Sequence, residues 1–179
     1  KIQIVEKQAA NEELKDVEDS ISKEFAENSE LREFRSNVLV QNTTEGLKIQ
    51  ITNNKDSRMF EEGQAEPNER AKKILIKIAE IITLLPNYVS IIGHTDSQPV
   101  GRGMAYTNWE LSADRANAVR RFLIENNVVR EQISQVIGKA DNDPIDTLNP
   151  ESPVNNSVDI ILLNNAYLTP HKKGASEEI

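Results

Sequence analysis

The sequence predicts an α+β fold, a two-layer sandwich with two helices on one face of a mixed sheet. The predicted order is strand-helix-strand-helix-strand-strand, preceded by an N-terminal helical segment. Three observations predict it. LKIQIT (47–52) alternates apolar and polar residues, as a half-buried strand does. In ERAKKILIKIAEIITLLPN, residues Ala71, Ile74, Leu75, Ile78, Ile82 and Leu85 recur at helical steps. Thr107 followed by Glu110 has the spacing of a capping box, which starts a second helix there.

The elements follow in order along the chain. Residues 1–36 contain no Gly or Pro and are dense in Glu and Lys. Leu14, Val17, Ile21 and Phe25 form a thin apolar stripe at helical spacing. This reads as a linker or amphipathic helical segment, either solvated or docked on a partner or a second copy. The body of the domain is expected over 37–166. After the 47–52 strand comes a polar stretch rich in turn formers, NNKDSRMFEEGQAEPNE. Pro67 suits the first turn of the first helix of the body and Pro86 stops it. YVSIIG (88–93) is a short buried strand. The second helix runs from Thr107 to about Asn126. ISQVIG (133–138) and SVDIILL (157–163) supply the last two strands, with DNDPIDTLNPESPVN as the loop between. A flexible tail is expected over 167–179.

Composition narrows the function. A net charge of −8 argues against nucleic acid, whose phosphates need a basic face. No run approaches the ~20 apolar residues of a membrane span. The first residue is Lys1 rather than Met, as in an excised piece of a longer protein. With no cysteine, disulfides, thiol nucleophiles and thiolate metal sites are excluded. There is no G-x-S-x-G, no P-loop and no G-x-G-x-x-G after a strand. No metal or cofactor is expected.

One residue breaks the pattern. On the second helix Leu111, Ala118 and Phe122 define the apolar stripe, and Arg115 lies on it. An unpaired buried guanidinium costs several kcal/mol, on the order of the penalty for buried ions. Asp96, just past the 88–93 strand in HTDSQP, is its natural companion. Side by side, the two read a zwitterion: Asp96 takes an ammonium, and the fork of Arg115 takes a carboxylate. Two structural alternatives stand beside this. Asp96 and Arg115 pair with each other, or Asp114 faces inward instead of Arg115.

The pattern GHTD, then NWELSADRA, then NAVRRFL resembles the OmpA-like peptidoglycan-binding domain. The matching residues are Thr95, Asp96, Asn108, Leu111, Ser112, Arg115 and Ala116, with MF-x-x-G-x-A at 59–65. The resemblance extends over about 47–163. Within the family, the TDSQPVGRG loop (95–103), the helix and SPVN before the last strand are most similar to the peptidoglycan-anchoring subunit of the flagellar stator. The resemblance implies the OmpA-like sandwich and a non-catalytic role. Asp96 and Arg115 would bind diaminopimelate of the stem peptide, with Thr95, Asn108, Leu111 and Ala116 as further site residues. It also implies a homodimer in the periplasm, part of a motility and chemotaxis apparatus. A MotA-like stator subunit would be reached through an inner-membrane helix upstream of Lys1, and the flagellar P ring is a further partner. The alternative is a wall anchor of another envelope or secretion-system protein. The family usually has Asn-Arg-Arg before the apolar residue that opens the last strand. This chain has Asn155, Asn156, Ser157 and Val158, so both arginines are absent, with Lys139 or Arg102 as candidates to compensate.

Other constellations are weaker. His94 has no second ligand at metal spacing and reads as a structural hydrogen-bonding residue. Asp96 and Glu110 as a glycosidase pair would make a wall hydrolase, but capping explains Glu110. Arg102-Gly103 reads as a surface turn, and Arg120 and Arg121 as solvated or facing a partner subunit. Trp109 reads as core packing rather than a sugar platform.

Overall fold

The computed structural model describes residues 2–164. The tail expected over 167–179 lies outside them. Five strands form one mixed sheet: β1 (Val38–Asn42), β2 (Gly46–Thr52), β3 (Val89–His94), β4 (Ile133–Gly138) and β5 (Ser157–Leu163). Their spatial order is β1-β2-β5-β3-β4. Only β3 and β4 run parallel; the other pairs are antiparallel. Among the described residues the α-helices are α1 (Ile2–Glu27), α2 (Glu69–Thr83) and α3 (Asn108–Glu125). The architecture is the predicted α+β sandwich.

Alternation on β2, β3 and β5 places Ile49, Ile51, Val89, Ile91, Val158 and Ile160 in the main core. The apolar face of α2 meets them with Ala71, Ile74, Leu75, Ile78 and Ile82. From α3 come Ala116, Val119 and Leu123. The reverse face of the sheet is polar in its middle. There His94 Nε2 lies 3.0 Å from Asp159 Oδ2, and Gln50 Nε2 donates to Asp159 Oδ1 at 2.7 Å.

The structure departs from the sequence reading in three places. VLVQN forms an additional edge strand, β1, paired antiparallel to β2 across the turn at 43–45. Its short, half-exposed pattern gives only one weak alternation. Pro67 precedes α2 instead of entering its first turn. Asn68 is the cap, accepting from the Ala71 N–H at 3.0 Å, and Pro67 bridges to Phe60. The stripe on α1 is used within the chain: Leu14, Ile21 and Phe25 are buried in the main core, with Val17 against it. The helix packs on β1 and β2. The stripe was legible, but not the surface it would find.

Two glycines set the distance between α3 and the sheet. A Cβ on Gly93 would lie 1.9 Å from the Ser112 carbonyl oxygen, and one on Gly138 2.7 Å from the Ala113 nitrogen. Backbone approach this close needs glycine on both strands. The N-terminal half of α3 is thereby pressed onto the ends of β3 and β4.

Ile21→Ala tests the docking of α1. Removing a buried isoleucine typically costs about 2–5 kcal/mol, so urea unfolding is expected to shift by that amount in a single transition. A loss under about 0.5 kcal/mol, the range of surface substitutions, would show that α1 is not docked in solution.

Candidate functional site

Arg115 is 1% exposed, yet it lines a pocket of about 160 Å³. Its guanidinium donates to three acceptors. Nε donates to the Gln64 carbonyl at 2.9 Å, Nη2 to the Glu61 carbonyl at 3.3 Å, and Nη1 to Asn156 Oδ1 at 2.8 Å. The Phe60 ring lies 5.4 Å from the guanidinium carbon, within cation–π range. Burial pulls the Arg115 pKa down to about 10, partly offset by the negative charge of Asp96 and by Tyr106. It therefore stays charged at neutral pH.

The loop that accepts from Arg115 is pinned at its base. Asn53, at the end of β2, accepts from the Met59 and Phe60 N–H groups at 2.7 and 3.0 Å and donates to the Phe60 carbonyl at 2.9 Å. This is the physical content of the MF-x-x-G-x-A stretch. Met59 and Phe60 are core anchors, and the residues after them present carbonyls to a buried cation.

Asp96 reaches the same pocket from the end of β3. It is half-buried, with Oδ1 accepting from the Gln98 N–H at 3.0 Å and Oδ2 from Asn156 Nδ2 at 2.7 Å. Asp96 and Arg115 form no direct ion pair; the Asn156 amide stands between them, accepting from one and donating to the other. Asp114 does not take the inward place. It is exposed and accepts from the Tyr106 hydroxyl at 2.7 Å. Both structural alternatives are thus replaced by a bridged arrangement. A guanidinium has five N–H donors and a carboxylate about four acceptor positions. After these contacts each group has capacity left.

The other predicted residues support this pair in different ways. Asn108 Nδ2 donates to the Asp96 and Gln98 carbonyls at 3.2 and 3.0 Å, tying the Asp96 turn to α3. Thr95 is buried; its N–H donates to the Ala140 carbonyl at 2.9 Å and its hydroxyl to the Asp96 carbonyl at 2.8 Å. Leu111 is buried and forms part of the pocket wall. Ala116 is buried in the main core, away from the pocket wall. Ser112 acts between elements, accepting from the Ala140 N–H at 2.9 Å. The capping box forms: Thr107 N–H and Oγ1 donate to Glu110 Oε2 at 2.7 and 2.6 Å, which holds the Glu110 carboxyl below its usual range.

Asn156 is the residue that sequence reasoning missed. The family pattern marked the position only by the arginine it lacks. Neither proposed substitute reaches the gap: Lys139 pairs with Asp143 at 3.2 Å, and Arg102 lies over the Tyr106 ring at 5.2 Å. Asn155 is buried and accepts from the Asp146 N–H at 2.8 Å, so it braces the loop before β5. Arg121 pairs with Glu66 at 2.8 Å and Arg120 donates to Asn117 at 3.2 Å. Trp109 is not core; it is 56% exposed, because two residues before Leu111 is the opposite side of the helix.

Asn156→Ala removes the acceptor of Arg115 and the donor to Asp96 together. Orphaning a buried partner typically costs about 1–3 kcal/mol, and urea unfolding is expected to show a loss in that range. An unchanged midpoint would mean that the bridge does not hold the site.

The profile of the OmpA family matches residues 59–157. Motility protein B of Escherichia coli strain K12 is 36% identical over 135 residues, which is 75% of this chain and 44% of that protein. The chain thus spans less than half the length of that relative. Among solved structures, the periplasmic domain of Helicobacter pylori MotB is 25% identical with a TM-score of 0.58, covering 71% of this chain and 88% of that one. The cell wall anchor of the T6SS from Pseudomonas aeruginosa is 21% identical with a TM-score of 0.62, covering 72% and 89%, a likeness of fold. The matched span contains the Met59–Ala65 loop, Asp96, Arg115 and Asn156, the parts from which the pocket is built. The chain belongs to the OmpA family, and its relatives include motility protein B.

Proposed function

We propose that this domain is a non-catalytic anchor that grips peptidoglycan. A zwitterionic end group, that of diaminopimelate in the stem peptide, sits between Asp96 and Arg115. The ammonium meets the Asp96 carboxylate, and the carboxylate meets the donors left on Arg115. In the full-length protein this grip holds a flagellar stator to the cell wall. The domain then works in the periplasm as a homodimer. A MotA-like subunit lies on the membrane side, and the P ring is a neighbour.

The observation that carries this reading is the bridged pair. Had Asp96 and Arg115 closed on each other, each would have spent on its partner the donors or acceptors that a ligand would use. Asn156 keeps them apart and ordered, with both lining one pocket. The pocket volume supports the same reading. About 160 Å³ is below the roughly 300–1,000 Å³ of sites that engulf whole small molecules. It suits the end group of a larger polymer. The membership in the OmpA family and the likeness to motility protein B support the wall as the polymer and the stator as the machine. The fold likeness to the T6SS cell wall anchor favours a second reading, in which the same grip serves another envelope machine.

Co-sedimentation with insoluble sacculi tests the grip, with Asp96→Asn as the variant. The substitution removes the charge but keeps the shape, so stability is expected to fall by only about 1 kcal/mol, one hydrogen bond's worth. Wild type is expected to pellet with diaminopimelate-type walls and much less with lysine-type walls. Asp96→Asn is expected to stay in the supernatant while remaining folded. If it pelleted as wild type does, the charge of Asp96 would have no part in binding.

A further inference from the structure

The pocket that holds Asp96 and Arg115 is lined by a second arginine, Arg58. Its backbone is fixed between the end of β2 and the start of α2. The Arg58 carbonyl accepts from Asn68 Nδ2 at 2.8 Å. The next residue, Met59, is fully buried, with its N–H on Asn53 Oδ1 at 2.7 Å. The Arg58 side chain, by contrast, is 52% exposed, and its ion-pair partner Glu61 Oε2 lies 3.9 Å from Nη1. That is beyond hydrogen-bond distance, so among the described residues nothing engages the five guanidinium donors of Arg58. Arg115 is buried with three donors held; Arg58 is anchored at its base and open at its head.

Charge gives this arginine its meaning. Without it, the pocket would set Asp96, Glu62 and Glu151 against Arg115 alone, in a chain whose net charge is −8. Such a field favours an ammonium and repels a ligand with more carboxylates than ammoniums. The family pattern places an arginine where this chain has Asn156. The Asn156 amide is uncharged, and it is already engaged with Arg115 and Asp96. Arg58 lines the same pocket as Asn156, so a cation missing from the segment before β5 is present on the segment after β2.

We propose that Arg58 is a specificity-determining residue of this pocket, taking a second carboxylate of the ligand beside the zwitterionic end group. The inference rests on the wall-binding reading above. In a stem peptide of the diaminopimelate type, the preceding glutamate is joined through its γ-carboxyl. Its α-carboxylate is therefore free, one residue from the end group held by Asp96 and Arg115. A guanidinium fork matches a carboxylate with two parallel N–H donors, and a neutral amide in the same place forfeits the charge. The domain thus distinguishes stem peptides whose glutamate is a free acid from those in which it is amidated.

Two dipeptides are titrated calorimetrically into the wild-type chain. One is γ-D-glutamyl-diaminopimelate; the other is the same dipeptide with the glutamyl α-carboxylate converted to its amide. The acid is expected to bind about fivefold more tightly than the amide, the scale of a good ion pair at a half-exposed site. Arg58→Gln is expected to bind the amide as wild type does, to bind the acid no better than the amide, and to keep the urea midpoint of wild type. Arg58→Lys, which restores the charge without the fork, is expected to recover part of the preference. If wild type binds acid and amide equally, Arg58 reads no carboxylate and the proposal falls while the grip stands. A preference for the acid that survives in Arg58→Gln overturns it too, because another group then reads the carboxylate. Equal weakening of both ligands by Arg58→Gln would give Arg58 a general role and no specificity. Binding of neither dipeptide to wild type overturns the grip and the proposal together.

Discussion

A guanidinium that is 1% exposed has lost nearly all its water and must find its partners in the protein. Arg115 does so by recruiting two segments that are far apart in sequence: residues 60–64, through the Phe60 ring and the Glu61 and Gln64 carbonyls, and the residue before β5, Asn156. Asn53 and the buried Met59 and Phe60 fix the base of the first segment, Asn155 braces the second, and the cation on the apolar stripe joins them; the pocket is the space left where they converge. This answers why an arginine occupies a place that helical spacing assigns to the core.

The rest of the frame serves to deliver chain ends to that point. β3 ends at His94 and hands the chain to Thr95 and Asp96, while Asn156 immediately precedes β5, its antiparallel neighbour. The His94–Asp159 contact on the reverse face ties the same two strands just below the site. Ala140, past the end of β4, accepts from Thr95 and donates to Ser112. Gly93 and Gly138 let α3 come close enough for those bonds to form. The motif glycine, serine and asparagine are thus positioning residues. They hold Asp96 and Arg115 about a shared cavity, and Asn156 sets the spacing.

Much of this was legible in the sequence, for identifiable reasons. Capping residues and strong periodicity are local, so α3 at Thr107 and the apolar face of α2 could be read directly. The position of Arg115 on a stripe is also local, and it pointed to the site. What depends on tertiary contact was not legible. The stripe on α1 gives no hint that its surface is the β1–β2 end of the same sheet. β1 itself is too short and too exposed to announce itself. Asn156 looked like a loss, because an asparagine in place of an arginine removes charge. Only the fold turns its amide to give one acceptor and one donor where they are needed. Trp109 was misjudged because its size suggested burial, although its offset from Leu111 already placed it on the outer side.

Arg115 is a buried cation with three of its five N–H donors held by the protein, and the pocket is assembled around it. Hydrogen exchange of its side-chain Nε–H, resolved by nitrogen-15 NMR, measures this most directly. Arg121, on the exposed side of the same helix, serves as an internal reference. The Arg115 Nε–H is expected to exchange slowly, in the manner of core backbone amides, because it is held on the Gln64 carbonyl away from water. Exchange as fast as that of Arg121 would contradict it, and would mean that the guanidinium swings freely and the pocket has no fixed floor.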